Sequence, residues 1–193
     1  MEVIKGRELE FIPESHTYLV DGVIYPSITQ ILRHKFSSKY DGVSTETLSK
    51  AAEKGTAVHE AIEAWCKDGT ESDLPELRNF KFLMKQYAFT VKANEVPVIL
   101  EDDGEVIAAG RLDLVLEMDG KVGGADIKRT AVLDKEYLAY QLNLYRIAYR
   151  QSYGLEWEFL RGVHLRENKR KFVNIPIKEE QIWEFIKEWR NDS

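Results

Sequence analysis

The sequence predicts an α/β protein, a single domain in which helices flank a central mixed β-sheet. Three observations lead to this fold class. Short apolar strands separated by tight turns form a meander in the middle of the chain, a long helical segment follows it, and two further strands come after that helix. Because a helix is the usual connection between parallel strands, the expected sheet combines an antiparallel meander with one parallel pair joined by a crossover helix.

The part of the chain before the meander is expected to hold a hairpin and three helices. Asp21-Gly22 separates two apolar runs, at 16–20 and 23–25, which is a strong hairpin signal. Ser27 can cap the first helix. Gly55 lies inside the second helix and marks either a break or a close backbone approach. The predicted helices span residues 28–34, 44–65 and 75–92, with a polar linker at 37–42.

Turn residues also mark the boundaries of the meander and of the segments after it. Turns are expected at Asp102-Asp103-Gly104 and Asp119-Gly120, and Gly154 ends the crossover helix. The predicted strands span 95–101, 105–109, 111–118, 121–127, 156–166 and 171–175, and the helices 135–152 and 177–189. We expect one domain over residues 1–193, with an N-terminal hairpin and helix at about 7–36, a catalytic core at about 44–176 and a C-terminal helix at about 177–190.

Composition limits the function classes. No apolar run reaches membrane-spanning length and the N-terminus lacks a secretion signal, so we expect a cytoplasmic protein with no membrane partner. The only cysteine, Cys66, excludes an internal disulfide, a four-cysteine zinc site and an iron–sulfur cluster held by this chain alone. The net charge of −6 argues against a general polyanion binder.

One segment departs from this acidic balance. Residues 161–171 carry five lysines and arginines and one glutamate, a local charge of +4. A basic strip on an acidic protein can follow a phosphate backbone, although a solvated hairpin face explains it as well. The residues expected to contact DNA are Arg166, Lys169, Arg170 and Lys171.

The most informative residues lie in the hairpin that carries Asp113 and Asp126-Ile127-Lys128. Asp126 and Lys128 are two positions apart and point to the same face of a strand, and the hairpin brings Asp113 beside them. Two carboxylates can hold Mg²⁺ or Mn²⁺, which prefer oxygen ligands. A surface ion pair is an equally good reading of these residues taken alone. The small residues Gly123 and Gly124 favour the close approach of another group.

Further candidates lie on the predicted helices. His59 falls among small residues on an inward face, and its imidazole is a good third ligand for Mn²⁺, although a lone helical histidine is more often structural. Glu63, one turn later, could orient His59 or bind a second metal, or could simply be exposed. Gln141 and Tyr145 share one face of the crossover helix and could bind phosphate or position water.

Together these motifs resemble the PD-(D/E)XK nuclease superfamily, in its RecB-like exonuclease branch. The similarity covers about residues 16–150, and Leu112 stands where the name of the superfamily has proline. The opening of the chain is also similar to small phage and prophage members of that branch. The motifs, in order, are His16-Thr17-Tyr18, Tyr25-Pro26-Ser27-Ile28-Thr29-Gln30-Ile31-Leu32, Gly55-Thr56-Ala57-Val58-His59, Gly110-Arg111-Leu112-Asp113, Asp126-Ile127-Lys128 and Gln141-Leu142-Asn143-Leu144-Tyr145.

The resemblance implies a restriction-endonuclease-like core and specific roles for the site residues. The implied metal ligands are His59, Asp113, Asp126 and the carbonyl of Ile127, for Mg²⁺ or Mn²⁺. Lys128 corresponds to the catalytic lysine, and Gln141 and Tyr145 correspond to a motif that supports the site. Glu95 resembles an acidic position that often opens the meander in such proteins, where it would contact the metal ligands and not the metal itself.

The implied function is that of a metal-dependent deoxyribonuclease, with an exonuclease of DNA recombination, repair or phage DNA processing as the expected form. DNA is the implied partner, together with a recombination or replication protein. Two alternatives stay open. One is a catalytically silent module with the nuclease fold that binds DNA or protein. The other is a metal-dependent phosphoesterase that acts on RNA or nucleotides.

Overall fold

A computed structural model describes residues 1–36 and 45–192 of the chain. It is an α/β structure in which helices flank one antiparallel and one mixed sheet. The first sheet contains the predicted hairpin at Asp21-Gly22 and two strands that precede it. Its strands, each antiparallel to the next, are β1 (Glu2–Ile4), β2 (Arg7–Ile12), β3 (Thr17–Val20) and β4 (Val23–Tyr25).

The second sheet contains the predicted meander and a parallel pair. Its strands, in spatial order, are β5 (Thr90–Asp102), β6 (Glu105–Met118), β7 (Lys121–Lys128), β8 (Phe159–Arg166) and β9 (Lys169–Ile175). Helix α4 (Lys135–Tyr153) joins β7 to β8, which are parallel, and the other neighbours are antiparallel. The prediction of a crossover helix between parallel strands is therefore confirmed.

The remaining helices are α1 (Ile28–Phe36), α2 (Thr45–Asp68), α3 (Pro75–Tyr87) and α5 (Glu179–Asp192). Ser27 caps α1 as predicted, because its Oγ accepts a hydrogen bond from Gln30 N–H at 3.1 Å. Helix α2 runs through Gly55 without a break. The predicted linker at 37–42 lies outside the described residues.

Several predicted boundaries are wrong. Strands expected at 105–109 and 111–118 form the single strand β6, because Gly110 adopts extended backbone and stays in the ladder opposite Val98. Helix α3 stops at Tyr87 rather than at residue 92, because Ala88 takes a left-handed conformation with φ of 52° and caps it. The chain then enters β5 at Thr90 rather than at residue 95, and β8 begins at Phe159 rather than at residue 156.

Two helical layers enclose the second sheet. On one face, α2 and α3 pack their apolar side chains, including Ile62 and Phe80, against Leu114 and Ile127. On the other face, α1, α4 and α5 form a second apolar cluster. The first sheet packs on β5 and β6 through a third cluster. Along β6, the first sheet packs near Ala109 and the cluster of α2 and α3 packs near Leu114, so the middle of the strand lies between them. No helix in the described part of the chain is long and apolar enough to cross a membrane.

The two glycines of β7 serve packing. A Cβ at Gly124 would overlap the ring of Trp157, and a Cβ at Gly123 would overlap the carbonyl and ring of Phe159. Trp157 is 1% exposed, so it has no room to move aside. The close approach that the sequence predicts is therefore made by the chain's own aromatic residues.

Candidate active site

The candidate site lies where β6 and β7 stop pairing. The two strands are paired up to Leu114 and Ala125, and beyond this point β7 pairs with β8 while β6 pairs with β5. Asp113 and Asp126 are the first residues past the last pair, so their carboxylates stand at the fork. Ile127 N–H donates to Asp113 Oδ2 at 2.6 Å and so finds a partner where the ladder has ended. This bond fixes the Asp113 carboxylate between the strands.

Three side chains form a group that could hold a metal ion. One ligand atom from each of His59, Glu95 and Asp113 lies within 4.8 Å of the other two. His59 Nδ1 is 3.7 Å from Glu95 Oε1 and 3.7 Å from Asp113 Oδ1. The other ring nitrogen, Nε2, donates to the carbonyl oxygen of Ile127 at 3.2 Å. A backbone carbonyl on one ring nitrogen is a common way of aiming the other at a metal.

Glu95 occupies a strained position within β5. Its φ is 48°, a conformation that costs a non-glycine residue about 1–3 kcal/mol. Residues 94 and 96 pair with 114 and 112, which sets Glu95 opposite Asp113 across the ladder. Like charges placed opposite each other destabilise a sheet unless something compensates them. A cation between the two carboxylates would provide that compensation, which makes Glu95 a candidate ligand.

Protonation of His59 reflects these neighbours. Burial lowers the pKa of the imidazole, but the charge of Asp113, a hydrogen bond with Glu95 and the charge of Asp126 outweigh burial and raise the pKa to about 9. Without a metal, the histidine is therefore a cation at neutral pH. A metal bound at this nitrogen would have to displace that proton, so its affinity would rise with pH.

Asp126 and Lys128 form a buried ion pair beside this group. Asp126 Oδ2 lies 2.5 Å from Lys128 Nζ, and the Asp126 side chain is 3% exposed. The pair confirms that both residues point to the same face of β7. Burial raises the pKa of Asp126, opposed by Lys128, and nearby Asp113 raises it further. Burial lowers the pKa of Lys128, but Asp126 and Asp113 outweigh this and raise it, so Lys128 stays an ammonium.

The group of three shares His59 and Asp113 with the expected ligand set and adds Glu95 to it. Asp126 lies outside the group of three and is paired with Lys128, and the Ile127 carbonyl accepts from His59. Glu95, which was expected to contact the metal ligands and not the metal, is part of the group. Glu63 lines an adjoining cleft. The contacts of His59 in the described structure are with Glu95, Asp113 and Ile127, so Glu63 does not orient the imidazole.

Helix α4 contributes Gln141 and Tyr145, which are both 5% exposed. Gln141 Oε1 is buried and has no hydrogen-bond partner in the described structure. Tyr145 packs on Gly110, where a Cβ would lie 3.1 Å from its Cε1 atom. Gly110 thus makes room for the tyrosine. Burial raises the pKa of Tyr145 well above its ordinary value, so the phenol keeps its proton.

A cavity of about 290 Å³ joins these groups. It opens into a larger cleft of about 790 Å³, which lies between the first sheet and α2. Four residues that line both spaces come from outside the predicted site: Phe11, His16, Tyr18 and Arg111. His16 and Tyr18 stand in the motifs of the resemblance, but nothing in their spacing indicates that β2 and β3 fold over the middle of β6.

The predicted DNA-binding residues lie at the turn between β8 and β9. Arg166 and Lys169 line a pocket of about 310 Å³ together with Arg129, which follows Lys128 in the chain. Arg170 stacks its guanidinium 3.7 Å from the ring centre of Phe82 and donates to Asn79 Oδ1 at 3.0 Å. Lys171 is exposed. The basic strip therefore begins at the end of β7 that carries Lys128.

Comparison with known proteins gives a structural similarity only. No family model matches the chain, and no curated protein matches it. Among solved structures, the crystal structure of SSO0001 is similar, with a TM-score of 0.50 and 16% sequence identity over 88% of this chain and 76% of that chain. At this level of identity the similarity concerns the fold alone.

Proposed function

We propose that the protein is a metal-dependent deoxyribonuclease of the PD-(D/E)XK type, which hydrolyses DNA phosphodiester bonds as an exonuclease in recombination, repair or phage DNA processing. One observation carries the proposal. The His59, Glu95 and Asp113 group and the Asp126–Lys128 ion pair line the same cavity. Potential metal ligands beside a lysine ammonium are the groups that phosphodiester hydrolysis needs.

The donor atoms suit a hard divalent cation. Glu95 and Asp113 offer carboxylate oxygens, and His59 offers a nitrogen that Mn²⁺ accepts well and Mg²⁺ accepts less well. A cation bound there would polarise a phosphoryl oxygen and lower the pKa of a water. The three side chains would hold it, and the strained backbone at Glu95 supports such a role, because strain of this kind concentrates at functional sites.

Lys128 and Gln141 supply the remaining chemistry. Asp126 holds the Lys128 ammonium in the cavity, where it can donate to a phosphoryl oxygen and stabilise the charge that develops in the transition state. The unpartnered Oε1 of Gln141 can accept a hydrogen bond from the attacking water and so orient it. Tyr145 can donate its phenolic proton to an oxygen in the same cavity.

The test is cleavage of linear and circular DNA with Mg²⁺, with Mn²⁺ and with chelator. We expect degradation of linear DNA with metal, survival of circular DNA, and loss of cleavage in Asp113→Asn and Lys128→Ala. The matched control is Asp119→Asn, which changes a carboxylate at the tip of the β6–β7 turn at a position with φ of 52° that asparagine tolerates.

Other outcomes separate the alternatives. Cleavage of circular DNA would indicate an endonuclease instead of an exonuclease. Cleavage of RNA alone would indicate that the substrate is RNA instead of DNA. DNA binding without turnover under every metal condition would favour the silent binding module. Equal cleavage by wild type and Lys128→Ala would show that the candidate site is not the active site.

A further inference from the structure

We propose that the cleft between the first sheet and α2 receives an unpaired nucleobase from the DNA strand being cut. This inference rests on the proposed nuclease function and deepens it, because it names the substrate as a single-stranded or frayed DNA end. Three features of the cleft support this assignment: its aromatic cluster, its continuity with the metal group, and the charge of its walls.

The aromatic cluster consists of Phe11, His16 and Tyr18. The rings of Phe11 and Tyr18 are 4.7 Å apart with an interplanar angle of 30°, and His16 meets both edge-on at 5.3 and 5.9 Å. Tyr18 is buried, and the Arg111 guanidinium lies 5.8 Å from the ring centre of Phe11. The ring surface open to the cleft is therefore that of half-buried Phe11 and exposed His16. Nucleobases stack on such surfaces without regard to sequence, because every base has a π-face.

The cleft is continuous with the metal group. The same three rings, together with Arg111, line both the cleft and the cavity that holds His59 and Asp113. The volume of the cleft, about 790 Å³, lies within the range of about 300–1,000 Å³ that small-molecule sites occupy. A base in the cleft would therefore place its own phosphate next to the candidate metal ligands.

The charge of the cleft favours a base over a phosphate backbone. Glu60 and Glu63 line it beside Glu95 of the candidate metal group, and Glu2 and the Arg111 guanidinium offset each other in an ion pair of 2.9 Å. Phosphates are repelled by such walls, whereas a neutral planar base is not. The pocket at Arg129, Arg166 and Lys169 begins one residue beyond Lys128. Arg129 is paired there with Glu76 and Glu167, so Arg166 and Lys169 are the side chains that offer the phosphates a more favourable path. A base that is paired in a duplex would have to unpair before it could enter the cleft.

The test measures binding without turnover. Fluorescence anisotropy with Ca²⁺ in place of Mg²⁺ compares single-stranded DNA, blunt duplex, and single strands that lack the terminal base at either end. Wild type should bind single strands more tightly than blunt duplex, and loss of one terminal base should weaken binding about 5- to 150-fold, the usual effect of one stacked base.

The variants are Phe11→Leu and His16→Asn. Leucine keeps the apolar contacts of Phe11 but has no π-face, and asparagine tolerates the φ of 50° at residue 16. In each variant the penalty for the missing base should shrink or vanish. The control is Ile24→Ala, which removes an exposed apolar side chain from the same sheet, outside the cleft, and should keep the wild-type penalty. Thermal melting checks that all three variants fold.

The binding and cleavage results test the base-binding cleft and the nuclease function separately. The inference is overturned if wild type shows no base penalty, or if the penalty is the same in both cleft variants and in wild type. If wild type cleaves DNA but ignores the terminal base, the nuclease proposal stands and this one fails. If it binds in a base-dependent way and cuts nothing, the cleft is assigned correctly and the nuclease proposal fails.

Discussion

Replacing Glu95 by glutamine tests the metal group directly. Glutamine has the same shape as glutamate, so the change removes a charge without creating a cavity. Asp113 and His59 keep their contacts with Ile127. The protein without metal should therefore unfold within a few degrees of wild type. Any larger difference that appears only with Mn²⁺ reports on the metal.

The magnitude follows from the linkage between binding and stability. At a free Mn²⁺ concentration a hundred times the wild-type Kd, metal adds about 2.7 kcal/mol to the free energy of unfolding. For a chain of this size that raises Tm by about 5–10 °C. Because Glu95 is one of three candidate ligands, its loss should weaken binding by at least about ten- to a hundredfold, leaving a gain of about 0.4–1.4 kcal/mol at the same Mn²⁺ concentration.

The assay is thermal denaturation across a Mn²⁺ titration, with calorimetry to give the stoichiometry. Glu60→Gln is the matched control, because Glu60 is an exposed carboxylate next to His59 in the chain and is outside the group. Glu60→Gln should show the wild-type Tm rise. The reasoning is refuted if wild type shows no rise with Mn²⁺, or if Glu95→Gln and wild type rise equally.

Three further predictions concern stability and reactivity. Gly124→Ala should lower the free energy of unfolding by about 3 kcal/mol, measured by denaturant titration, because its Cβ would overlap the buried ring of Trp157; an unchanged midpoint would contradict this packing. Hydrogen bonds from two arginines of α4 lower the pKa of Glu179 to about 2, from an ordinary value of 4.5. Ionised Glu179 therefore stabilises the folded state, by about 1 kcal/mol because solvent screens its ion pairs. This stabilisation is complete above pH 4.5 and is lost as the pH falls towards 2. The free energies of unfolding of wild type and Glu179→Gln should therefore converge in acid. Burial raises the pKa of the Cys66 thiol to about 11, so Cys66 should react with a disulfide reagent at neutral pH more slowly than a free thiol, and equal rates would contradict its burial.

Local patterns predicted the parts of the site that depend on one or two neighbouring elements. The two-residue spacing of Asp126 and Lys128 was enough to place both on one face of β7, and the Asp-Gly turn was enough to bring Asp113 alongside. The four-residue spacing of Gln141 and Tyr145 likewise predicted one face of α4, and both residues line the cavity. In each case a strand or helix period fixes the direction of the side chain.

Other parts depend on tertiary contacts that no local pattern contains. Glu95 joins the candidate ligands because its backbone takes a left-handed conformation in the middle of a strand, which the propensity of glutamate does not predict. The spacing puts Asp126 and Lys128 on one face of β7, but the burial of their ion pair depends on the elements that pack over it. Gly123 and Gly124 predicted the close approach of another group, but not that this group is the pair of aromatic residues after α4. The aromatic cleft could not be predicted without knowing where the first sheet packs.

The fork between β6 and β7 has a consequence for how the protein is made. Asp113 is held by a backbone N–H 14 residues away, and His59 is held by a carbonyl 68 residues away. The backbone of residues 126–128 is held in turn by β8, which is synthesised only after α4. The reactive groups therefore come together late, when most of the chain has left the ribosome. An incomplete chain has the same side chains but not their arrangement, so the candidate site forms only after β8 has been made.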